Sequence, residues 1–288
     1  MLLLTPQISP LDKSRWRPFI YNDEVKSYSF YLEHKKLHEK QGADDNVFQT
    51  EQLDDWFHLL HPSQYVDEPK DHAWTGASYK GTVLLRQTGW YTLDSACTCE
   101  YGYSDTWQPQ IQSEKMRQVL RDITASVVDV VGGDESEFNS VNLNYYPQGG
   151  GVGFHADDEF LFDGLNRETR IISLSLCGKS TSGEGGRKFQ VKRKGKKYSN
   201  DVQDILLKHG DLMSMEGFFQ KYYLHSVWPG DSKSKMDHPL CRGERINLTW
   251  RTIVRHLDGS DECRGLVCPL SKVTEEKIAM NSHSRVEE

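Results

Sequence analysis

A mainly β fold with flanking helices, built as a sandwich or barrel, is what this sequence predicts. Two observations carry that expectation. Beyond residue 138 the chain breaks into short segments of strand type with long connections between them. The cleanest, ETRIISLSLC (168–177), alternates with Ile172, Leu174 and Leu176 on one face. By contrast, one segment carries a sustained helical stripe: Met116, Leu120, Ile123, Val127 and Val130 recur at intervals of four and three over 112–131. A doubly wound α/β sheet needs a helix between successive strands, and the sequence does not supply them.

In chain order, residues 1–20 read as an arm with turns at Pro6 and Pro10. The spacing of Val25, Tyr28 and Leu32, with Gly42 as a stop, predicts a helix over 22–42. EQLDDWFHLL (51–60) predicts a second, short helix. TVLLRQTGWY (82–91) reads as a strand turning at Gly89, and an aromatic loop with a C-x-C follows over 91–107. GGD (132–134) ends the long helix. Strands are then expected at 138–147, 168–177, 188–194, 210–217, 222–228 and 244–256, before a polar tail.

The 288 residues suit one large domain or two modest ones. No apolar run reaches the roughly 18 residues of a membrane span, so no membrane role is expected. The opening MLLLTPQISP lacks a basic lead-in, which argues against a secretory leader. Six cysteines (Cys97, Cys99, Cys177, Cys241, Cys263, Cys268) are too sparse for a disulfide scaffold. An intracellular setting, nuclear or cytoplasmic, is therefore the expectation, with a monomer as default. The C-x-C is read as a loop feature. A formal net charge of -7 argues against a chain coated by nucleic acid, although a local basic patch remains compatible with it.

The chemistry concentrates around GVGFHADDEF (151–160). On extended chain, His155 and Asp157 face the same way and Asp158 faces away. A third ligand must come from elsewhere, and His225 in YYLHSVWP is the best candidate. Two histidines and one carboxylate make the facial triad of a non-haem Fe(II) oxygenase. Zinc hydrolysis accepts the same set. The last strand narrows the choice, because Arg245, Asn247, Thr249 and Arg251 of RINLTWR share a face opposite Ile246, Leu248 and Trp250. Guanidinium forks match carboxylates. In NLNYYP, Asn142, Asn144 and Tyr146 also point together. A metal triad beside an anion clamp suggests 2-oxoglutarate as cosubstrate.

Through NYY (144–146), HADDE (155–159), His225 and RINLTWR (245–251), the chain resembles the AlkB family of Fe(II)/2-oxoglutarate dioxygenases over about residues 80–256. The resemblance implies a double-stranded β-helix (jelly-roll, cupin-like) core over 81–256, an N-terminal extension over 1–80 and a tail over 257–288. It implies Fe(II), 2-oxoglutarate and O2, with His155, Asp157 and His225 on iron. Asn144, Tyr146, Arg245, Asn247 and Arg251 would bind the cosubstrate. Glu159 stands where family members keep an acid near the alkylated base. Trp90, Tyr91, Tyr101 and Tyr103 fall in a substrate lid spanning 86–107. The run GRKFQVKRKGKKY (186–198) carries seven Lys or Arg and no acid. Its Arg187, Lys188, Lys192 and Arg193 are expected beside a nucleic acid strand. The implied activity is oxidative N-demethylation of bases such as 1-methyladenine or 3-methylcytosine in single-stranded RNA or DNA. Two alternatives keep less: an oxygenase acting on a protein side chain or small molecule, and an inactive nucleic-acid-binding module.

Overall fold

Period-two alternation divides the strands into two faces, and the architecture follows from where each face is buried. In the computed structural model, residues 15–34, 47–79, 81–93, 97–103, 106–133, 135–178, 186–229 and 243–256 are described. Their strands are β1 (Arg17–Asn22), β2 (Ser27–Leu32), β3 (Thr75–Tyr79), β4 (Thr82–Thr92), β5 (Tyr101–Tyr103), β6 (Thr106–Gln108), β7 (Ser140–Tyr146), β8 (Val152–His155), β9 (Thr169–Cys177), β10 (Gly186–Arg193), β11 (Val202–Lys208), β12 (Leu212–Gly217), β13 (Tyr223–Val227) and β14 (Arg245–Arg251). The helices are α1 (Thr50–Leu60), α2 (Glu114–Val131) and the single turn α3 (Phe219–Tyr222).

An eight-stranded sheet runs β1-β2-β12-β9-β14-β7-β4-β3, and a four-stranded sheet runs β11-β10-β13-β8. Every pairing in both is antiparallel. One face of the large sheet packs on helices: Leu143, Leu174, Leu176, Ile246, Leu248 and Trp250 join Leu53 and Leu60 of α1 and Met116, Leu120 and Ile123 of α2 in one core. Each such side chain contributes roughly 2 kcal/mol on burial. Ser113 caps α2 by accepting from the Met116 N–H at 3.3 Å. The indole of Trp250 donates to Thr124 Oγ1 at 2.9 Å, so its polar atom is satisfied inside the core. The opposite face meets the small sheet through a second core that includes Tyr146, Ile171, Phe189, Met215 and Val227. Arg245, Asn247, Thr249 and Arg251 are therefore held between the sheets, on the face that alternation assigns them.

The expected helix over 22–42 is a correction. Residues 17–32 form the hairpin β1–β2, turning at Lys26 with φ 46°, and 35–46 lie outside the described residues. SYSFYL also alternates, and pairing with β12 gives β2 a full ladder that a lone helix would not have. Consequently residues 17–32 and 75–79, which the sequence assigns to an N-terminal extension, join the large sheet. The tail over 257–288 lies outside the described residues.

Candidate metal centre

The centre is assembled where β8 pairs with β13 at the edge of the small sheet. Gly149 takes a positive φ of 77°, which turns the chain after β7. Gly151 follows, and any Cβ there would sit 2.5 Å from the Val227 carbonyl. Its bareness lets β8 lie against β13, where His155 pairs directly with His225. The two rings stand 4.3 Å apart, centroid to centroid. Asp157, two residues on, turns Oδ1 to both imidazoles, 3.8 Å from each Nε2. The three residues thus offer ligand atoms within 4.8 Å of one another.

Neighbouring groups fix each member. His155 Nδ1 is 2.8 Å from the Gly153 carbonyl, a bond that leaves Nε2 with its lone pair toward the centre. The His225 ring stacks on Phe189 at 5.6 Å. Gln220 of α3 accepts from the Asp157 N–H at 2.9 Å. Arg251 donates through Nε and Nη2 to Asp157 Oδ2, at 3.0 and 2.6 Å. That fork occupies one carboxylate oxygen and leaves Oδ1 for an ion.

Protonation also suits a metal. Burial, then the facing His155, pushes the His225 pKa down to about 3, and burial lowers His155 as well. Burial pulls the Asp157 carboxyl upward, but Arg251 and the two histidines outweigh it and hold the pKa at about 2. Both imidazoles are neutral and the carboxylate is ionised at neutral pH, as ligation requires.

Two cavities share the walls Asn144, Tyr146, His155, Asp157 and Arg251. One extends to Arg245 and Asn247 among Phe189, Met215 and Val227. Arg245 is only 1% exposed. It donates to Ser175 Oγ at 2.9 Å and to Asn247 Oδ1 at 2.5 Å, and its side chain lies over the Tyr146 ring. Nη1 has no partner among the described residues. Burial lowers its pKa, and no carboxylate among the described residues acts on it. Such a guanidinium is a ready anion site. The other cavity is walled by Arg86, Thr88, Tyr101 and Gln108. At its edge Tyr101 donates to Glu159 Oε1 at 2.5 Å. Burial, then Asp157, lifts the Glu159 pKa to about 8.

Several expected substrate residues sit elsewhere. Trp90 is fully buried, stacked on Tyr101 at 4.9 Å, with its indole donating to the Cys99 carbonyl. Its neighbour Tyr91 faces the helix side, where its hydroxyl accepts from Arg121 at 2.9 Å. Neither ring lines the two cavities at the triad. Arg187 is 1% exposed and donates to the carbonyls of Gly186, Pro147 and Gly243, so it is a strut rather than a phosphate contact. Lys188 pairs with Asp204 at 2.5 Å, Lys192 lies over Phe154, and Arg193 lies over Tyr198. The Tyr103 side chain lies outside the described residues. Gln220, Arg86 and Ser175 were not anticipated, although the alternation of ISLSLC already sets Ser173 and Ser175 opposite its apolar face.

The profile of the 2OG-Fe(II) oxygenase superfamily matches residues 45–251, a stretch that contains the triad and both buried arginines. The chain belongs to this superfamily. Among curated proteins, the DNA oxidative demethylase ALKBH2 of Arabidopsis thaliana is 32% identical to this oxygenase over 147 residues. The match takes in 47% of the chain and 43% of that protein, so the chain spans less than half the length of this relative. The structure of OsALKBH1 is 17% identical, with a TM-score of 0.44 over 84% of this oxygenase and 99% of that chain. Superfamily membership and the triad together give this oxygenase catalytic potential, and the donor set fits Fe(II).

Proposed function

We propose that this oxygenase dealkylates nucleobases oxidatively, acting on bases such as 1-methyladenine or 3-methylcytosine in single-stranded RNA or DNA while converting 2-oxoglutarate to succinate and carbon dioxide. The two packed sheets are read as the halves of a double-stranded β-helix. The observation that carries the cosubstrate assignment is Arg245, a buried guanidinium that has neither a partner for Nη1 nor a carboxylate counter-ion among the described residues.

His155, Asp157 and His225 would hold Fe(II), which together with the keto acid and dioxygen supplies oxidation of the carbon attached to nitrogen. Arg245 would pair with the distal carboxylate of 2-oxoglutarate, its plane set by Ser175, Asn247 and Tyr146. Arg251 fixes Asp157 and keeps its own Nη1 unpartnered for the keto-acid end, near Asn144. Phe189, Met215 and Val227 line that chamber and keep bulk water from the anion. Tyr101 lines the second chamber and donates to Glu159 behind it, and Glu159 would meet the polar edge of a base once one enters.

A base must leave any helix to reach a buried centre, which favours unpaired strands. Lys194 bonds Asp158 at 3.2 Å and so tethers the basic turn one residue from Asp157. Lys196 and Lys197 on that turn are exposed, as phosphate contacts need to be. The name of the Arabidopsis relative points the same way. The test is mass spectrometry of methylated oligonucleotides with succinate measured in parallel, against a His155→Ala, Asp157→Ala control. Demethylation matched by succinate is expected. Cosubstrate turnover that peptides stimulate, and that no alkylated oligonucleotide does, would overturn the substrate assignment.

A further inference from the structure

Outside the triad, a second set of metal-ligand side chains converges. Cys97, Cys99 and His256 are all buried, and their ligand atoms lie within 4.8 Å of one another. His256 Nδ1 is 3.4 Å from Cys99 Sγ and 3.8 Å from Cys97 Sγ. Tetrahedral zinc, with Zn–S of about 2.3 Å and Zn–N of about 2.0 Å, holds sulfur and nitrogen roughly 3.6 Å apart. The two separations bracket that value. We propose that Cys97, Cys99 and His256 form a structural zinc site that clamps the segment carrying Tyr101 to the chain leaving β14, which carries Arg251.

Both ligand-bearing segments are fixed by bonds that need no ion. The Cys97 carbonyl accepts from Thr92 Oγ1 at 2.8 Å and from Gln110 Nε2 at 2.7 Å, and the Cys99 carbonyl accepts from the Trp90 indole at 2.8 Å. On the other side, the N–H groups of Val254 and Arg255 donate to the Leu161 carbonyl at 2.8 and 3.2 Å. Ile253 N–H donates to Asn139 at 2.7 Å. The thiols are packed with Trp90, Tyr101, Phe162 and Ile253. Neither cysteine is in a disulfide.

The donor chemistry separates this site from the iron triad. Thiolates are soft ligands that favour zinc, whereas two imidazoles and a carboxylate suit Fe(II). Two thiolates and a neutral imidazole cancel the charge of Zn2+, which makes burial tolerable. Zinc would complete its shell with water. Tyr101 stands two residues past Cys99 and reaches Glu159, so the ion would set the roof of the second chamber.

The experiment uses the full chain. Metal analysis after zinc loading is expected to give two equivalents, falling to one in Asp157→Ala. Cobalt(II) substitution of Asp157→Ala should retain a sulfur-to-cobalt charge-transfer band, which the triad cannot produce. Cys97→Ser, Cys99→Ser should lose the band and keep one equivalent at the triad. Because that variant risks misfolding, the unaltered chain supplies a second readout. Zinc should slow alkylation of Cys97 and Cys99 at least tenfold, as mapped by peptide mass spectrometry. No band in the unaltered chain, a band that survives the double substitution, or equal alkylation with and without zinc would each overturn the site.

Discussion

Replacing Arg245 by Met tests the anion site through both binding and stability. The guanidinium is buried, bonds Ser175 and Asn247, and leaves Nη1 bare. Truncating one partner of a desolvated, hydrogen-bonded charge pair costs about 2–5 kcal/mol. A mid-range loss of about 3 kcal/mol weakens 2-oxoglutarate more than a hundredfold at 1.4 kcal/mol per decade. Calorimetric titration into the Mn(II)-loaded protein measures it. Pyruvate closes a double-mutant cycle, because it keeps the keto acid and lacks the distal carboxylate. Arg245→Met should bind 2-oxoglutarate no better than the unaltered protein binds pyruvate, and pyruvate itself should be indifferent to the substitution. Without ligand, losing an uncompensated buried charge should leave the melting temperature unchanged or raise it. Binding of 2-oxoglutarate within threefold of the unaltered protein would refute the reasoning.

Other residues separate structural from contact roles. Arg187→Ala should cost about 3 kcal/mol in chemical denaturation, since three carbonyls lose a charged donor, while the salt dependence of oligonucleotide binding stays the same. Lys196→Ala, Lys197→Ala should do the reverse: stability within about 0.5 kcal/mol, and a salt slope on single strands reduced by about 1.4. Gly151→Ala drives a Cβ against the Val227 carbonyl; it should part β8 from β13 and weaken metal binding at least tenfold, read by competition with a metal-binding dye.

Much of the centre is legible in the sequence because alternation is a local property. The faces of β14, β7 and β9 follow from period two alone, and so does the pairing of His155 with Asp157. Period two also sends Trp90 and Tyr91 to opposite faces of β4, so the two rings could never share one base. Arg187 looks like its basic neighbours in composition, and its burial depends on carbonyls supplied by Pro147 and Gly243, far away in the chain. The β1–β2 hairpin was hidden because Val25, Tyr28 and Leu32 fit a helix and SYSFYL fits a strand, and the choice was made by distant β12. Gln220 carries no local sign that it will hold Asp157. The second metal group was equally out of reach: C-x-C and His256 lie more than 150 residues apart in the chain.

Anaerobic difference spectroscopy tests the central claim most directly, because a visible charge-transfer band forms only when one ferrous ion binds 2-oxoglutarate in chelation. The band is expected in the unaltered chain, absent from His155→Ala and Asp157→Ala, and present in Arg245→Met only at far higher 2-oxoglutarate. A protein that binds Fe(II) yet shows no band at saturating 2-oxoglutarate, or one whose band survives loss of His155, would contradict the account.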